Sequence, residues 1–443
     1  MRQAVLGLGS NCGERLRFLR KAISRLRSLG SLGSRGEQIE ITAISPLYES
    51  DALLPDDAPS DWALPFLNLA LLCNTPFSPG ALLREVKSLE QELGRKPRGR
   101  WAPREIDIDI LAIDGESFKS PELTVPHPEL ARRPFALLPL LDLAPHWLPE
   151  LHEAATAWIA RNPTDIPFHT RRSLTPLCEI VGIVNATPDS FSDGGIFFSE
   201  NAAIAHGERL IQDGATVLDI GGESTRPGAT AVTVNEEWRR IFPILRGLRG
   251  RGALLSVDTR HAETAKRALD SGADWINDVS GFSDPRMVDA VREWQCELVA
   301  MHSVSVPADP KKHLPLGTDP AESIIRWSTS LLQGLAEAGI ASSRLILDPG
   351  VGFGKTAQQN IRILEATREI RKHVPRLLIG HSRKSFISAW KNDEAASDRD
   401  LETAALSVHL AKNGADYLRV HDVRSTIRAL QAWIQVDGRV ILG

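Results

Sequence analysis

From residue 178 onward the chain alternates short, unbroken apolar runs with longer amphipathic stretches. Eight runs recur: EIVGIVN (179–185), TVLDIGG (216–222), ALLSVDT (253–259), WINDVSG (275–281), CELVAMH (296–302), RLILDPG (344–350), RLLIGHS (376–382) and YLRVHDV (417–423). A continuous apolar run is the pattern of a strand buried on both faces. Each one ends in polar residues. Between them, stretches such as 262–271 and 361–373 place apolar residues at helical spacing. Strand and helix in alternation predict parallel strands joined by crossover helices. Eight units predict a closed (β/α)8 barrel of the TIM type, a fold that typically uses ~250 residues.

The first part of the chain reads differently. Residues 4–9 predict a strand and 14–29 a helix, with Leu16, Leu19, Ile23 and Leu26 on one face. Strands over 39–48 and 66–73 flank a loop rich in Pro and Asp. Ser78 as N-cap, Pro79 in the first turn, a face of Leu82, Leu83, Val86, Leu89 and Leu93, and Gly94 as stop predict a second helix. Residues 105–113 complete the order β-α-β-β-α-β, the ferredoxin-like α+β arrangement, whose helices cover one sheet face and leave the other open. The pattern then loosens into a proline-rich stretch with one short helix at 154–160. These readings place an N-terminal domain at 1–160, a linker at 161–176 and the α/β barrel at 177–443.

Composition narrows the function classes. A formal net charge of −4 over 443 residues provides no global field to recruit nucleic acid or anionic membrane. The N-terminus has no signal-like segment and no stretch is apolar enough to span a bilayer, so a cytoplasmic protein is expected. Cys12, Cys73, Cys178 and Cys296 are scattered, with no metal or disulfide spacing, and read as reduced packing residues.

Active sites of barrels sit at the carboxyl ends of the strands. Those ends carry Asn185, Thr225 with Arg226, Asp258, Asn277, His302, Asp348, the 382–385 segment, and Arg419 with His421. Eight polar ends meeting at one mouth predict a polar-ligand site. In the first domain, Ile106, Ile108 and Ile110 share one strand face and Asp107 and Asp109 the other. Just before them, GRKPRGRWAPR sets Arg95, Lys96, Arg98, Arg100 and Arg104 around Trp101. Cations beside paired carboxylates suit magnesium with a polyphosphate. Two glycine-rich stretches, GLGSNCG (7–13) and PGVGFGKT (349–356), miss the nucleotide-binding patterns: Cys12 and Pro349 stand where glycine is required. Gly7 and Gly9 read instead as a tight strand exit.

The motifs AVLGLGSNCG, FLNLAL, GRWAPREIDIDIL and LTVPHPEL resemble the 6-hydroxymethyl-7,8-dihydropterin pyrophosphokinases over about residues 1–160. The resemblance implies transfer of diphosphate from ATP to the pterin hydroxymethyl group, with release of AMP. It implies that Asp107 and Asp109 hold magnesium, that Arg95, Arg104 and His127 meet the triphosphate, and that Asn68 and Phe135 meet the pterin. Tyr48-Glu49-Ser50-Asp51 departs from the family's Tyr-x-Thr-Pro, and Ala102 replaces a usual Gly.

The barrel is similar to the dihydropteroate synthases through GIVNATPDSFSDGG, LDIGGESTRPGA, SVDT, INDVSG, LDPGVGFGK, GHSRKS and RVHDV. That similarity implies condensation of the pterin diphosphate with p-aminobenzoate, giving dihydropteroate and diphosphate. It implies a pterin site with Asp258, Asn277, Asp348 and Lys384. A diphosphate site follows with Asn185, Thr225, Arg226, Arg419 and His421, Asn185 on a magnesium ion. Loops 187–195 and 222–230 are expected to close over the substrate, with Phe191 against the aminobenzoate ring, and a homodimer is expected through the barrel. Two alternatives stand beside this reading: a pterin barrel serving methyl transfer, and a chain in which one domain is catalytically silent and only binds or scaffolds.

Overall fold

The computed structural model describes residues 1–28, 39–55, 57–99, 101–144, 146–148, 168–171, 178–186, 200–224, 232–306, 309, 311–388, 396–437 and 440–441. The chain divides into two compact units, one of residues 1–177 with 431–443 and the other of residues 178–430. Among the described residues, no helix is long and apolar enough to cross a membrane.

The first unit is built on strands β1 (Arg2–Ser10), β2 (Glu40–Ile44), β3 (Leu47–Ser50), β4 (Phe66–Thr75) and β5 (Asp107–Ile113). The sheet order β2-β4-β1-β5 with antiparallel pairing is the ferredoxin-like order. Helices Arg15–Ser28 and Pro79–Glu92 lie on one face, where Leu19, Leu26, Leu82, Val86 and Leu89 enclose Ile106, Ile108 and Ile110. The second helix starts as its sequence dictates, with Ser78 Oγ accepting from the Ala81 N–H at 3.4 Å. Gly94 ends it at a left-handed φ of 88°.

Three expectations need correction. The single strand expected over 39–48 is two, β2 and β3, because Pro46 between them has no N–H for the ladder. The second sheet face is only partly open, since helix Pro134–Leu143 packs Leu137 and Leu140 against Val5, Ala70 and Ala112. Gly7 and Gly9 are not a strand exit; both lie within β1. A Cβ at Gly9 would stand 2.9 Å from Asn68 Oδ1, and one at Gly7 would stand 3.0 Å from Leu111. Glycine is there to leave space above the strand. Two short strands, β6 (Phe118–Lys119) and β7 (Thr124–Val125), form a separate ribbon, and β8 (Phe168–Arg171), within the stretch read as linker, pairs with β3.

The second unit is the barrel that the apolar runs predict. Strands β9 (Glu179–Asn185), β10 (Val217–Gly221), β11 (Leu254–Asp258), β12 (Trp275–Asp278), β13 (Glu297–Met301), β14 (Leu345–Asp348), β15 (Leu378–Ile379) and β16 (Tyr417–Val420) pair in parallel. A parallel bridge from Leu347 to Leu377 joins the last pair and closes the ring. The terminal strand β17 (Val440–Ile441) belongs to the first unit, where it pairs with β2.

Period-2 alternation fixes what fills the barrel. One layer takes Val181, Val217, Leu254, Trp275, Val299, Ile346, Leu378 and Tyr417, one residue from each strand, and forms an apolar plug. Trp275 and Tyr417 meet edge-on within it, with ring centroids 5.0 Å apart. Two residues further along each strand, the same inward direction falls on Ile183, Asp219, Ser256, Asn277, Met301, Asp348, Gly380 and Arg419. Five of these eight positions are polar or charged, so the layer above the plug is mostly polar.

Gly350, just past β14, shows how tightly the mouth is drawn. Its φ is +63°, and a Cβ there would stand 1.8 Å from the His302 carbonyl oxygen. Gly350→Ala is expected to destabilise the barrel by on the order of 3 kcal/mol or more, read as a fall in the urea midpoint at unchanged slope.

Candidate active sites

In the first unit, the space above β1 and β5 is a cavity of about 150 Å³. Its wall includes Asn68, Trp101, Arg104, Asp107, Asp109 and Phe135, so six of the residues singled out by sequence face one space. Asn68 is held in place by donating from Nδ2 to Ser50 Oγ at 2.9 Å. Ser50 comes from the Tyr48–Asp51 stretch that departs from the Tyr-x-Thr-Pro pattern, and it stands at this wall. The basic loop is anchored by Asn11, whose Oδ1 accepts from the Arg104 N–H at 2.7 Å. Trp101 sits in the loop with a left-handed φ of 72°, the kind of strained backbone that collects at functional sites. Arg100 lies outside the described residues.

The two aspartates are held differently. Asp107 is bridged by Arg95 at 2.8 Å and by Arg104 at 2.6 Å. Burial raises its pKa, but the two guanidinium groups outweigh it and the net shift is downward. Asp109 shows no hydrogen bond or ion pair among the described residues. Burial, and then the charge of Asp107, drive its pKa upward. The charges of Lys87, His127 and Arg133 act on Asp109 but do not outweigh burial and Asp107, a balance that a divalent cation bound there would reverse. His127 lies close by; burial lowers its pKa while Asp109 opposes that shift.

The barrel mouth is organised by a residue that sequence reading passed over. Asp219, buried in mid-strand, accepts from Ser256 Oγ at 2.5 Å, from Asn277 Nδ2 at 2.9 Å and from Arg419 Nε at 2.6 Å. Arg419 also donates from Nη2 to Asp258 at 2.8 Å. Its signal was present: a single Asp inside the apolar run Val217-Leu218-Asp219-Ile220, two residues beyond a plug position. Asp348 is buried in the same layer and accepts from the Gly350 N–H at 2.8 Å. Lys384 places its ammonium 4.3 Å from the Phe353 ring centroid. His421 Nδ1 lies 3.0 Å from Ser382 Oγ, which joins the ends of β15 and β16. Asn185 stands at the carboxyl end of β9, in register with Gly221.

Three expected features, Thr225 with Arg226, Phe191 and the helix at 154–160, lie outside the described residues. In the GFGK stretch, Lys355 is buried and donates to the carbonyls of His302, Gly350 and Phe353 at 2.8–3.2 Å. Its ammonium is engaged within the loop rather than offered to a phosphate.

Burial, followed by the charge of Asp219, pushes Asp258 up to about 8, with Arg419 pulling the other way. A carboxyl that keeps its proton in the fold contributes stability that is present in acid and lost as pH rises from its ordinary 3.8 through about 8. Asp258→Asn is expected to flatten the fall in barrel stability across that window. Urea unfolding at a series of pH values measures it.

Comparison with known proteins separates the two halves. A family described as 7,8-dihydro-6-hydroxymethylpterin-pyrophosphokinase matches residues 5–145, and one described as pterin binding enzyme matches residues 181–421. A folate synthesis bifunctional protein of Chlamydia caviae is 36% identical over 441 residues, 96% of each chain. The chain belongs to the bifunctional folate-synthesis family. A folate synthesis bifunctional protein of Arabidopsis thaliana is 33% identical over 473 residues, covering 96% of this chain and 94% of its own. Among solved structures, Xanthomonas albilineans dihydropteroate synthase with 4-aminobenzoic acid matches with a TM-score of 0.54 and 40% identity, over 59% of this chain and 93% of that one. Anaplasma phagocytophilum dihydropteroate synthase with bound 6-hydroxymethylpterin-monophosphate matches with a TM-score of 0.53 and 35% identity, over 58% of this chain and 98% of that one. The protein is a bifunctional transferase, an ATP-using pterin pyrophosphokinase followed by a dihydropteroate synthase. Neither the silent-domain alternative nor the methyl-transfer alternative finds support.

Proposed function

We propose that the first cavity brings ATP and 6-hydroxymethyl-7,8-dihydropterin together over Asp107 and Asp109, and that the barrel mouth takes the resulting diphosphate. The observation that carries the first half is Asp109, bridged by no cation among the described residues, beside an Asp107 clamped by two arginines. Both aspartates would hold magnesium, which when bound neutralises the phosphate oxygens. Arg95 and Arg104 exchange Asp107 for the triphosphate, joined by Arg100, Trp101 and His127. Asn68 and Phe135 bind the pterin, the amide reading its polar edge and the ring stacking on its face. Diphosphoryl transfer needs no covalent nucleophile; it needs in-line positioning and charge neutralisation, and this wall supplies the groups for both.

In the barrel, the pterin lies inward against Asp258, Asn277, Asp348 and Lys384. Its diphosphate points to Thr225, Arg226, Arg419 and His421, with Asn185 the residue that would hold a magnesium ion. Asp219 and Asp258 engage Arg419 through Nε and Nη2, which fixes the plane of the guanidinium and directs its other N–H groups. Departure of diphosphate leaves positive charge on the methylene carbon, delocalised into the ring. Stabilising the leaving group is then the main catalytic task, and the amine of p-aminobenzoate completes the displacement. The barrel is proposed to form a homodimer. The test supplies hydroxymethyldihydropterin, ATP, magnesium and p-aminobenzoate, and omits each in turn. Omitting p-aminobenzoate should leave AMP release intact and stop dihydropteroate; AMP release that required p-aminobenzoate would overturn the division of labour.

A further inference from the structure

Beside the end of β11, next to the groups assigned to the barrel reaction but including none of them, three ligating side chains converge. Glu223 follows β10, Glu237 stands in the first turn of helix Val234–Leu248, and His261 precedes helix Ala262–Asp270. One ligand atom from each lies within 4.8 Å of the other two. Two of the three side chains carry a buried atom with no hydrogen-bond partner among the described residues. Glu237 is 0% exposed; its Oε2 accepts from Thr259 at 3.0 Å and Thr264 at 2.5 Å, whereas its Oε1 has no partner among the described residues. His261 Nε2 is buried and equally without a hydrogen bond, 3.6 Å from Glu223 Oε2. Native interiors rarely leave such atoms unsatisfied, and two in one cluster point to a ligand.

We propose that Glu223, Glu237 and His261 form a site for a divalent transition ion of the zinc type, separate from the magnesium of the two reactions. One imidazole nitrogen and two carboxylate oxygens are a borderline donor set that suits zinc or cobalt better than a hard ion. The 3.6 Å between His261 Nε2 and Glu223 Oε2 is close to the roughly 3.4 Å edge of a tetrahedron with bonds of about 2.0–2.1 Å. Charge agrees. Glu223, Glu237 and Asp278, whose field reaches His261, are opposed locally by Arg260, which grips Glu223 at 2.8 and 2.9 Å. Ionised, these groups sum to two negative charges, which one divalent ion balances. Because Arg260 shares Glu223, binding should be micromolar rather than nanomolar. The bound ion ties the segment after β10, the following helix and the segment after β11 into one unit behind Asp258.

The test uses the full chain, stripped with chelator and titrated with cobalt(II) in millimolar magnesium to occupy the phosphate sites. The parent should retain one equivalent, with the visible absorption band of a tetrahedral nitrogen and oxygen site, and zinc should displace the cobalt and raise the melting temperature. His261→Ala should lose the band and weaken binding at least about tenfold. Glu223→Gln, whose amide oxygen still accepts from Arg260, should lose it too, which guards against one variant failing to fold. The site is refuted if the parent retains no cobalt under excess magnesium, or if both variants bind as the parent does. It is equally refuted if the band disappears with Asp109→Asn and survives in His261→Ala.

Discussion

Asp109→Asn is expected to abolish AMP release from ATP and hydroxymethyldihydropterin, lowering kcat by at least ~10³-fold, while dihydropteroate formation from supplied pterin diphosphate stays within about twofold. Asparagine keeps the shape and removes the charge on which the proposed cation site depends. The same change should leave the fold as stable as the parent or more so. Burial and Asp107 hold the Asp109 pKa above its ordinary value, so its stability contribution is present in acid and lost as pH rises. Removing the charge relieves that loss at neutral pH. A dead pyrophosphokinase with an unchanged or raised melting temperature is therefore the predicted signature, and loss of activity through unfolding would look different. Steady-state AMP assays and thermal unfolding on one preparation distinguish them.

The second large effect runs the other way. Arg419→Ala should cut dihydropteroate synthesis by at least ~10²-fold and also destabilise the barrel by about 3–5 kcal/mol. The cause is the polar layer: without the guanidinium, Asp219 and Asp258 are left buried side by side with their shared counter-charge gone. Arg419→Lys keeps the charge but cannot reach two carboxylates in one plane. It should regain part of the stability and little of the rate. Turnover with supplied pterin diphosphate, read beside urea unfolding, separates the two losses. Equal activity in the lysine variant and the parent would show that the fork geometry is irrelevant.

What the sequence made legible follows from its periodicities. The eight apolar runs became eight strands because each is buried on both faces, and the ferredoxin-like order followed from two clear helices between strand runs. Asp107 and Asp109 were legible because alternation with three isoleucines fixes their direction, and the isoleucines proved to face the helices. Asp219 is not legible from the strand ends, because the polar layer begins two residues above the plug, in mid-strand. The helix Pro134–Leu143 over the second sheet face was missed because nearly all of its residues are apolar, so it shows no amphipathic period. Arg95 and Arg104 stand in the basic loop just before the aspartates in sequence, yet their pairing with Asp107 depends on side-chain reach, which spacing does not encode.

The central claim is that one chain holds two independent sites that work in succession, and a mixing experiment addresses it directly. Asp109→Asn alone, given hydroxymethyldihydropterin, ATP, magnesium and p-aminobenzoate, should yield neither AMP nor dihydropteroate. Arg419→Lys alone should release AMP at the parental rate and accumulate pterin diphosphate. Combined in one tube, the two should restore dihydropteroate synthesis, each supplying the step that the other lacks. If the mixture stays inactive while each variant is folded, or if either substitution silences both steps, the assignment of one reaction to each unit is wrong.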